Sequence, residues 1–387
     1  MKSIQLYFDS LLQGSTPQAP LWDIERQRDQ KPPRWNYIDG CMLKAVMDMA
    51  KATGNERYWQ FAKGYIDFYI DDTGAILGYC EDEFNCDQIN EGKVLFPLYE
   101  MTGDKKYLAA ITRLHNQLLN QPRTPEGNFW HKLIYPNQIW LDGLYMVQPF
   151  AMAYQMQLGK MANYRDIIAQ FDNVVTLMRD DKTGLYCHGY DAAREMFWCD
   201  PVTGRSPNVW GRSIGWFAMA LIDTIELLDE RFFDARMTLI GHFKNLMDSV
   251  KLVLDPDTSM VFQLPALPNT SGNYLETSAT CALAYAYMKG SNLGALPAYD
   301  FLIGERMLRS VVEHKLTRKE NAYMLKDICL VAGLGGMPGW GDYKVRDGSV
   351  AYYLSEPRVN NDAKGVAPML FAYAQWLGRD QKIFESK

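Results

Sequence analysis

The sequence predicts an all-α fold, an (α/α)6 toroid of six helical hairpins, with short strands or turns in the loops at the barrel mouth. Three observations predict it. Long apolar segments rich in small residues recur six times, more amphipathic segments alternate with them, and turn-rich pieces follow the amphipathic ones. Recurrence of one helical unit at a regular interval is the mark of a repeat architecture. Helices that are apolar on most faces belong in an interior, and amphipathic ones belong outside it.

The apolar segments, in order, are "IDGCMLKAVMDMAKATG", "INEGKVLFPLYEMTG", "LDGLYMVQPFAMAYQMQLG", "GRSIGWFAMALIDTIELLD", "ETSATCALAYAYMKG" and "AKGVAPMLFAYAQWLG". Five of them end in a glycine suited to a helix C-terminus, at Gly54, Gly103, Gly159, Gly290 and Gly378. The outer partners are "NERYWQFAKGYIDFYI", "KKYLAAITRLHNQLL", "NYRDIIAQFDNVVTLM", "RFFDARMTLIGHFKNLM" and "YDFLIGERMLRSVVEH". The N-terminal "SIQLYFDSLLQ" supplies a sixth. Pieces such as "DDTGAILGYC", "RTPEGNFWH" and "DDKTGLYCHGYD" return the chain to the next inner helix. The repeat runs through residues 1–387, which predicts a single (α/α)6-barrel domain.

Parallel inner helices gather all their N-termini at one mouth. Those ends carry unpaired N–H groups and partial positive charge, which suits an anionic ligand. The residues at the six starts are Trp35, Tyr37 and Asp39; Asp87 and Asn90; Lys132, Trp140 and Asp142; Trp210, Arg212 and Trp216; Tyr274, Glu276 and Thr277; and Asn361, Asp362 and Lys364. A single Asp or Thr there is an ordinary helix cap. Carboxylates, aromatic rings and cations together are the equipment of a carbohydrate site. Asp142 stands out because Trp140, Leu141, Leu144, Tyr145 and Met146 surround it in sequence. An ionised Asp in such a setting needs a partner or a raised pKa. His188, in "GLYCHGYD", follows a turn ahead of the fourth inner helix and should border the mouth.

Composition narrows the partners. The net charge is −6 and no dense Lys/Arg stripe is present, which argues against nucleic acid or an anionic membrane. No apolar run of 18 residues is present to span a bilayer. "MKSIQLYFDSLLQGS" carries Asp9 in its apolar part and reads as an amphipathic helix, not a signal peptide. Seven Cys lack CxxC spacing, and Cys41, Cys281 and Cys329 sit in apolar runs as buried thiols. Together these features predict a reduced, cytoplasmic protein. His115, His131, His188, His242 and His314 lack metal-ligand spacing, and no GxSxG or P-loop occurs. No metal or organic cofactor is implied. "GLGGMPGWGD", residues 333–342, is interrupted by Pro338 and reads as a loop over the mouth.

The chain resembles glycoside hydrolase family 105, the unsaturated rhamnogalacturonyl hydrolases. The likeness is carried by "WNYIDGCMLKAV", "HKLIYPNQIWLDGLYMVQPF", "GLYCHGYD", "WGRSIGWFAMALID", "NYLETSAT" and "RDGSVAYYLSEPRVNNDAKGVAPML". It covers nearly the whole chain, in order. The related family 88 shares the fold and the chemistry. The resemblance implies removal of a 4,5-unsaturated uronic acid from the non-reducing end of a small lyase-generated oligosaccharide. An acid protonates C4, water adds at C5, and the hemiketal opens to release the neighbouring sugar.

On that resemblance Asp142 matches the general acid/base, whose dual role needs a pKa near the working pH, kept up by its apolar neighbours. Asp87 matches a second Asp that fixes ring hydroxyls or tunes Asp142. Arg212 and His188 match positions near the unsaturated sugar. Trp210 and Trp216 would shape or stack on it, and Tyr37 and Lys132 would supply polar contacts. Two departures bear on the leaving sugar: Ser213–Ile214 replaces a small-residue pair, and Gln88 stands where a His is expected. Both leave its identity open, as is the oligomeric state. Competing readings are an unsaturated glucuronyl hydrolase on another uronic-acid polymer, an inverting glycosidase with carboxylates roughly 6.5–9.5 Å apart, an epimerase, and a non-catalytic sugar-binding module.

Overall fold

The computed structural model describes residues 1–320, 322–336 and 344–385, with 380–385 described as backbone alone. The six inner helices are Tyr37–Thr53, a 3₁₀ stretch Cys86–Val94 running into Leu95–Thr102, then Leu141–Gln157, Gly211–Leu227, Thr277–Asn292 and Ala363–Glu385. Each packs on the next, and the last packs on the first, so the ring is closed. Burial follows composition: in Gly211–Leu227 every residue but Glu226 and Leu227 is buried.

The outer helices Glu56–Tyr69, Lys105–Asn120, Tyr164–Met178, Phe233–Lys251 and Phe301–His314 each cover one inner helix. They do so with a stripe, as in Tyr107, Ala110, Ile111, Leu114 and Leu118. The sixth outer position is filled from the N-terminus. In Lys2–Gln13, Phe8 packs 4.8 Å from Tyr58, and the Tyr7 hydroxyl donates to Asn361 Oδ1 at 2.8 Å. The turn-rich pieces close as hairpins through the pairings Ile70–Ile76, Arg123–Phe129 and Arg179–Tyr186.

Two details differ from the sequence expectation. Only Gly54 and Gly103 of the five glycines are left-handed caps, at φ 66° and 68°. Gly290 and Gly378 lie inside their helices, and Gly159 lies just past the C-cap Leu158. Gly290 serves close packing instead: a Cβ there would come within 2.7 Å of the Phe243 ring. The second inner helix begins as 3₁₀, beside a point where a Cβ on Gly40 would lie 2.6 Å from Glu91 Cα. Pro97 also denies the Lys93 carbonyl its i+4 donor.

Pro149 poses the same problem within Leu141–Gln157, by leaving the Tyr145 carbonyl without its helical donor. The partly buried Lys93 ammonium answers it, donating to Tyr145 O at 2.6 Å and to Asn90 Oδ1 at 2.7 Å. Burial lowers the Lys93 pKa to about 7. Cys41, Cys281 and Cys329 are buried free thiols. No described helix is long and apolar enough to cross a membrane.

Among the described residues there are three antiparallel strand pairs: Gln138–Trp140 with Gly189–Asp191, Leu316–Lys319 with Ala322–Leu325, and Ile328–Cys329 with Arg358–Val359. The first and third position the side chains that matter below.

Candidate active site

Four inner helix starts are satisfied by side chains. Asn36 accepts from Asp39 N, Asn85 from Asp87 N, Glu276 from Ala279 N and Asp362 from Lys364 N. The third and fourth begin after Trp140 and Trp210, whose side chains cannot cap them. Those two uncapped starts carry Asp142 and Arg212. Their first N–H groups, Leu141 N and Gly211 N, donate to the His188 and Gln263 carbonyls, and the turns that follow keep their partial positive charge with no side-chain cap over it.

Asp142 does have a partner. Its Oδ2 lies 3.1 Å from His188 Nε2, and His188 is fully buried. The contact is off-line for a hydrogen bond, and neither atom has a hydrogen-bond partner among the described residues. The strand pair builds this proximity: Trp140 pairs with Gly189, and Leu141 N donates to His188 O at 3.1 Å. Leu144, Tyr145 and Met146 instead pack into the barrel core. Helical geometry turns most sequence neighbours of Asp142 away from it.

Asp87 forms the second acidic centre. Lys132 Nζ reaches its Oδ2 at 2.6 Å, and His131 Nε2 lies 3.7 Å from Oδ1. Burial acts to raise the Asp87 pKa, but Lys132 and then His131 outweigh it, so the carboxyl is held below its usual range. Burial likewise opposes the Lys132 charge, and Asp87 restores it. Asp87 and Lys132 are therefore an ionised pair. Their loop is pinned by Cys86 N donating to His131 O at 3.0 Å and His131 N to Gln138 O at 2.9 Å.

Sequence reasoning gave His131 no role. It stands between the two acidic centres, so close to the third inner helix that a Cβ on Gly143 would lie only 2.9 Å from its Nδ1. Its ring stacks on Trp140 at 4.5 Å, beside Tyr135, which stacks there at 4.7 Å. Burial lowers its pKa to about 4, so it is neutral near pH 7. The available signal was its adjacency to Lys132 in "HKLIYPNQIW".

Arg212 is buried and its guanidinium lies 4.7 Å from the Trp210 ring. It donates to the Cys329 and Leu330 carbonyls and to Ser278 Oγ, while Nε has no partner among the described residues. No carboxylate comes within 4.0 Å of it among the described residues. Trp210 also lies 4.7 Å from the His188 ring and donates from Nε1 to Gln263 Oε1. Tyr37 is partly buried, with Lys364 Nζ 5.9 Å from its ring.

Other expected mouth residues are packed or bonded within the fold. Trp216 is buried and stacks on Tyr145 at 5.0 Å. Trp35 is buried and donates to Gln88 O. Asp39 accepts from Trp22 Nε1 at 2.8 Å. Glu276 accepts from Ser278 Oγ, Ala279 N and Cys329 N. Lys364 is tied to Glu25 at 2.6 Å and to Asp362 at 3.2 Å. Gln88 donates to Glu83 Oε2 at 3.0 Å. Of the Gly-rich loop, Gly333 abuts Trp140, and residues 337–342 lie outside the described residues. Among the described residues no group of three or more His, Cys, Asp or Glu could hold a metal ion.

Comparison with known proteins gives the family. The family model described as Glycosyl Hydrolase Family 88 matches residues 19–379. A solved family 105 glycoside hydrolase from C. acetobutylicum is 36% identical, with a TM-score of 0.88 over 97% of this chain and 99% of that one. The curated unsaturated rhamnogalacturonyl hydrolase YesR of Bacillus subtilis is 25% identical over 265 residues, 67% of this chain and 72% of its own length. A solved unsaturated glucuronyl hydrolase specific for heparin shares the fold, with a TM-score of 0.68 at 14% identity over 99% of this chain and 96% of that one.

Proposed function

The chain belongs to Glycosyl Hydrolase Family 88, and from that premise we propose that it removes a 4,5-unsaturated uronic acid from lyase-generated rhamnogalacturonan-type disaccharides. It is a glycoside hydrolase of the unsaturated-uronyl type. The observation that carries the finer reading is the pair of buried atoms Asp142 Oδ2 and His188 Nε2, close together but without a hydrogen bond among the described residues, beside the uncapped helix start that bears Arg212. Buried polar atoms without partners are costly in a free protein, and a ligand that bonds them offsets that cost. An anionic sugar with ring hydroxyls offers the matching groups. YesR, by its name, acts on an unsaturated rhamnogalacturonyl substrate, which favours the pectin-derived disaccharide.

Asp142 delivers its proton to C4 of the vinyl ether. It then takes a proton from the water that adds at C5, so water is added overall and the acid is restored. The C5 hemiketal opens by breaking the C5–O5 ring bond, which leaves a ketone at C5 and a hemiacetal at C1; that hemiacetal collapses to an aldehyde and releases the neighbouring sugar as an alcohol. Ionised Asp87, held by Lys132, orients hydroxyls or the water. Arg212 and the two uncapped helix starts face the uronate charge, and Trp210 backs both Arg212 and His188. Tyr37 supplies a polar contact. We read the whole chain as one catalytic unit working in the cytoplasm.

The test is to offer lyase-generated disaccharides from rhamnogalacturonan, ulvan and glycosaminoglycans and to follow the ultraviolet absorbance of the conjugated uronate. Hydration removes that band, fastest with the rhamnogalacturonan disaccharide. Sugar release with the band intact would mean ordinary hydrolysis at C1 and would refute the proposal. A preference for glycosaminoglycan fragments would transfer it to the glucuronyl alternative.

Lys132→Met should move the acidic limb of the rate profile to higher pH. Lys132 holds the Asp87 carboxyl low, so removing the cation leaves burial to raise it. Because the rate needs Asp87 ionised, activity then falls at a less acidic pH than in the wild type. A limb that stays in place would show that Asp87 does not govern it.

A further inference from the structure

The unassigned half of His188 carries a further reading. Its Nδ1 lies 2.7 Å from the Tyr353 hydroxyl. Tyr353 is fully buried on the short helix Val350–Ser355. Its backbone is held by Tyr353 N donating to Ser349 O at 3.1 Å and by Gln263 Nε2 donating to Tyr353 O at 3.3 Å. The neighbouring Tyr352 hydroxyl accepts from Gly333 N at 3.0 Å, which clamps the same helix to the mouth.

We propose that Tyr353 is a positioning residue that fixes His188 as its neutral Nε2–H tautomer, so that an N–H donor faces Asp142 and the bound substrate. A buried phenol O–H requires an acceptor, and among the described residues the one within reach is His188 Nδ1. Burial pushes the Tyr353 pKa well above its ordinary value, so the O–H is retained. If it donates to Nδ1, that nitrogen carries a lone pair, and the proton of a neutral ring sits on Nε2. An imidazolium, or the Nδ1–H tautomer, would have to donate to the same phenol and strand its O–H.

The ring cannot easily turn to escape this choice. It is held between Trp210, 4.7 Å away and tilted, and Trp140, 5.6 Å away and edge-on. Nε2–H therefore points into the space beside Asp142 Oδ2, 3.1 Å away. It supplies a donor to a substrate oxygen beside Asp142, while the lone pair that could compete for Asp142's proton is tied up on the far side of the ring.

This inference rests on the reading of the mouth as the hydration site, but its first test does not need substrate. Nitrogen-15 spectra of histidine-labelled wild-type protein at neutral pH, with His188→Gln to assign the signal, should show a protonated Nε2 and a bare Nδ1. A protonated Nδ1 overturns the proposal without any variant of Tyr353. In Tyr353→Phe the ring nitrogens should lose that fixed pattern, and kcat should fall by about tenfold to a hundredfold with KM changed about twofold or less, the scale of one lost hydrogen bond to a reacting group. Wild-type kcat in the Phe variant refutes the role. Absence of turnover in the wild type would instead sink the proposed function and leave the tautomer result standing.

Discussion

Asp142→Asn is expected to abolish turnover of the unsaturated disaccharide while leaving the protein folded. An Asn amide has almost the shape of the carboxyl group but cannot deliver a proton to C4. Loss of a positioned general acid costs on the order of 10²–10⁴ in rate, and more where the same group returns as base. The fold should tolerate the change because the Asp142 carboxylate caps nothing and makes no hydrogen bond with the described residues. What remains is its off-line contact with His188 Nε2 at 3.1 Å and its interaction with the helix dipole, the latter worth about 0.3–1 kcal/mol. Glu276→Gln is the informative control. Glu276 also sits at an inner helix start, but its oxygens accept from Ser278, Ala279 and Cys329. That change should lower the melting temperature, whereas Asp142→Asn should move kcat alone. Near-normal turnover in the Asn variant would remove Asp142 from the chemistry.

This contrast shows what the sequence could carry. Helix period and composition are local, so the alternation of apolar and amphipathic segments foretold the closed ring and placed the six starts at one mouth. Locality also explains the misses. A glycine at the end of an apolar run looks like a cap whether it adopts a left-handed conformation, as Gly54 does, or makes room for Phe243, as Gly290 does. Asp142 and Glu276 look alike in sequence, and only their partners from distant segments separate them. The hydrophobic neighbourhood that singled out Asp142 in the sequence is mostly turned away from it, and its actual partner arrives on a strand pair from His188. His131 went unassigned because its meaning lies in standing between Asp87 and the third inner helix, a relation no spacing rule encodes.

At the opposite end of the barrel, Lys289→Met should destabilise the protein by about 3–5 kcal/mol, the cost of stranding a buried charge. Lys289 Nζ lies 2.7 Å from Asp223 Oδ1 and 2.7 Å from Glu226 Oε2, and Lys44 stands farther off, 3.9 Å from Asp223 Oδ2. Asp223 and Lys289 are both 4% exposed in their side chains, so water cannot replace the lost ammonium, whereas Glu226 at 47% can be hydrated. Burial acts to raise the Asp223 pKa, but Lys289 and then Lys44 hold it far below the ordinary carboxylate range. A depressed folded-state pKa contributes stability above the unfolded value and loses it as pH falls toward the folded one. The variant's Asp223 should protonate at a higher pH than the wild type's, so the stability gap should be full near neutrality and shrink on acidification. Asp223→Asn combined with Lys289→Met should recover most of the loss, because the Asn still accepts from the Tyr285 hydroxyl that lies 2.6 Å from Asp223 Oδ1, and Lys44 keeps Asp48 at 2.8 Å. Urea unfolding of the single and double variants at neutral and acidic pH measures each of these. A single variant as stable as the wild type at neutral pH would mean that Lys44 alone suffices to neutralise Asp223.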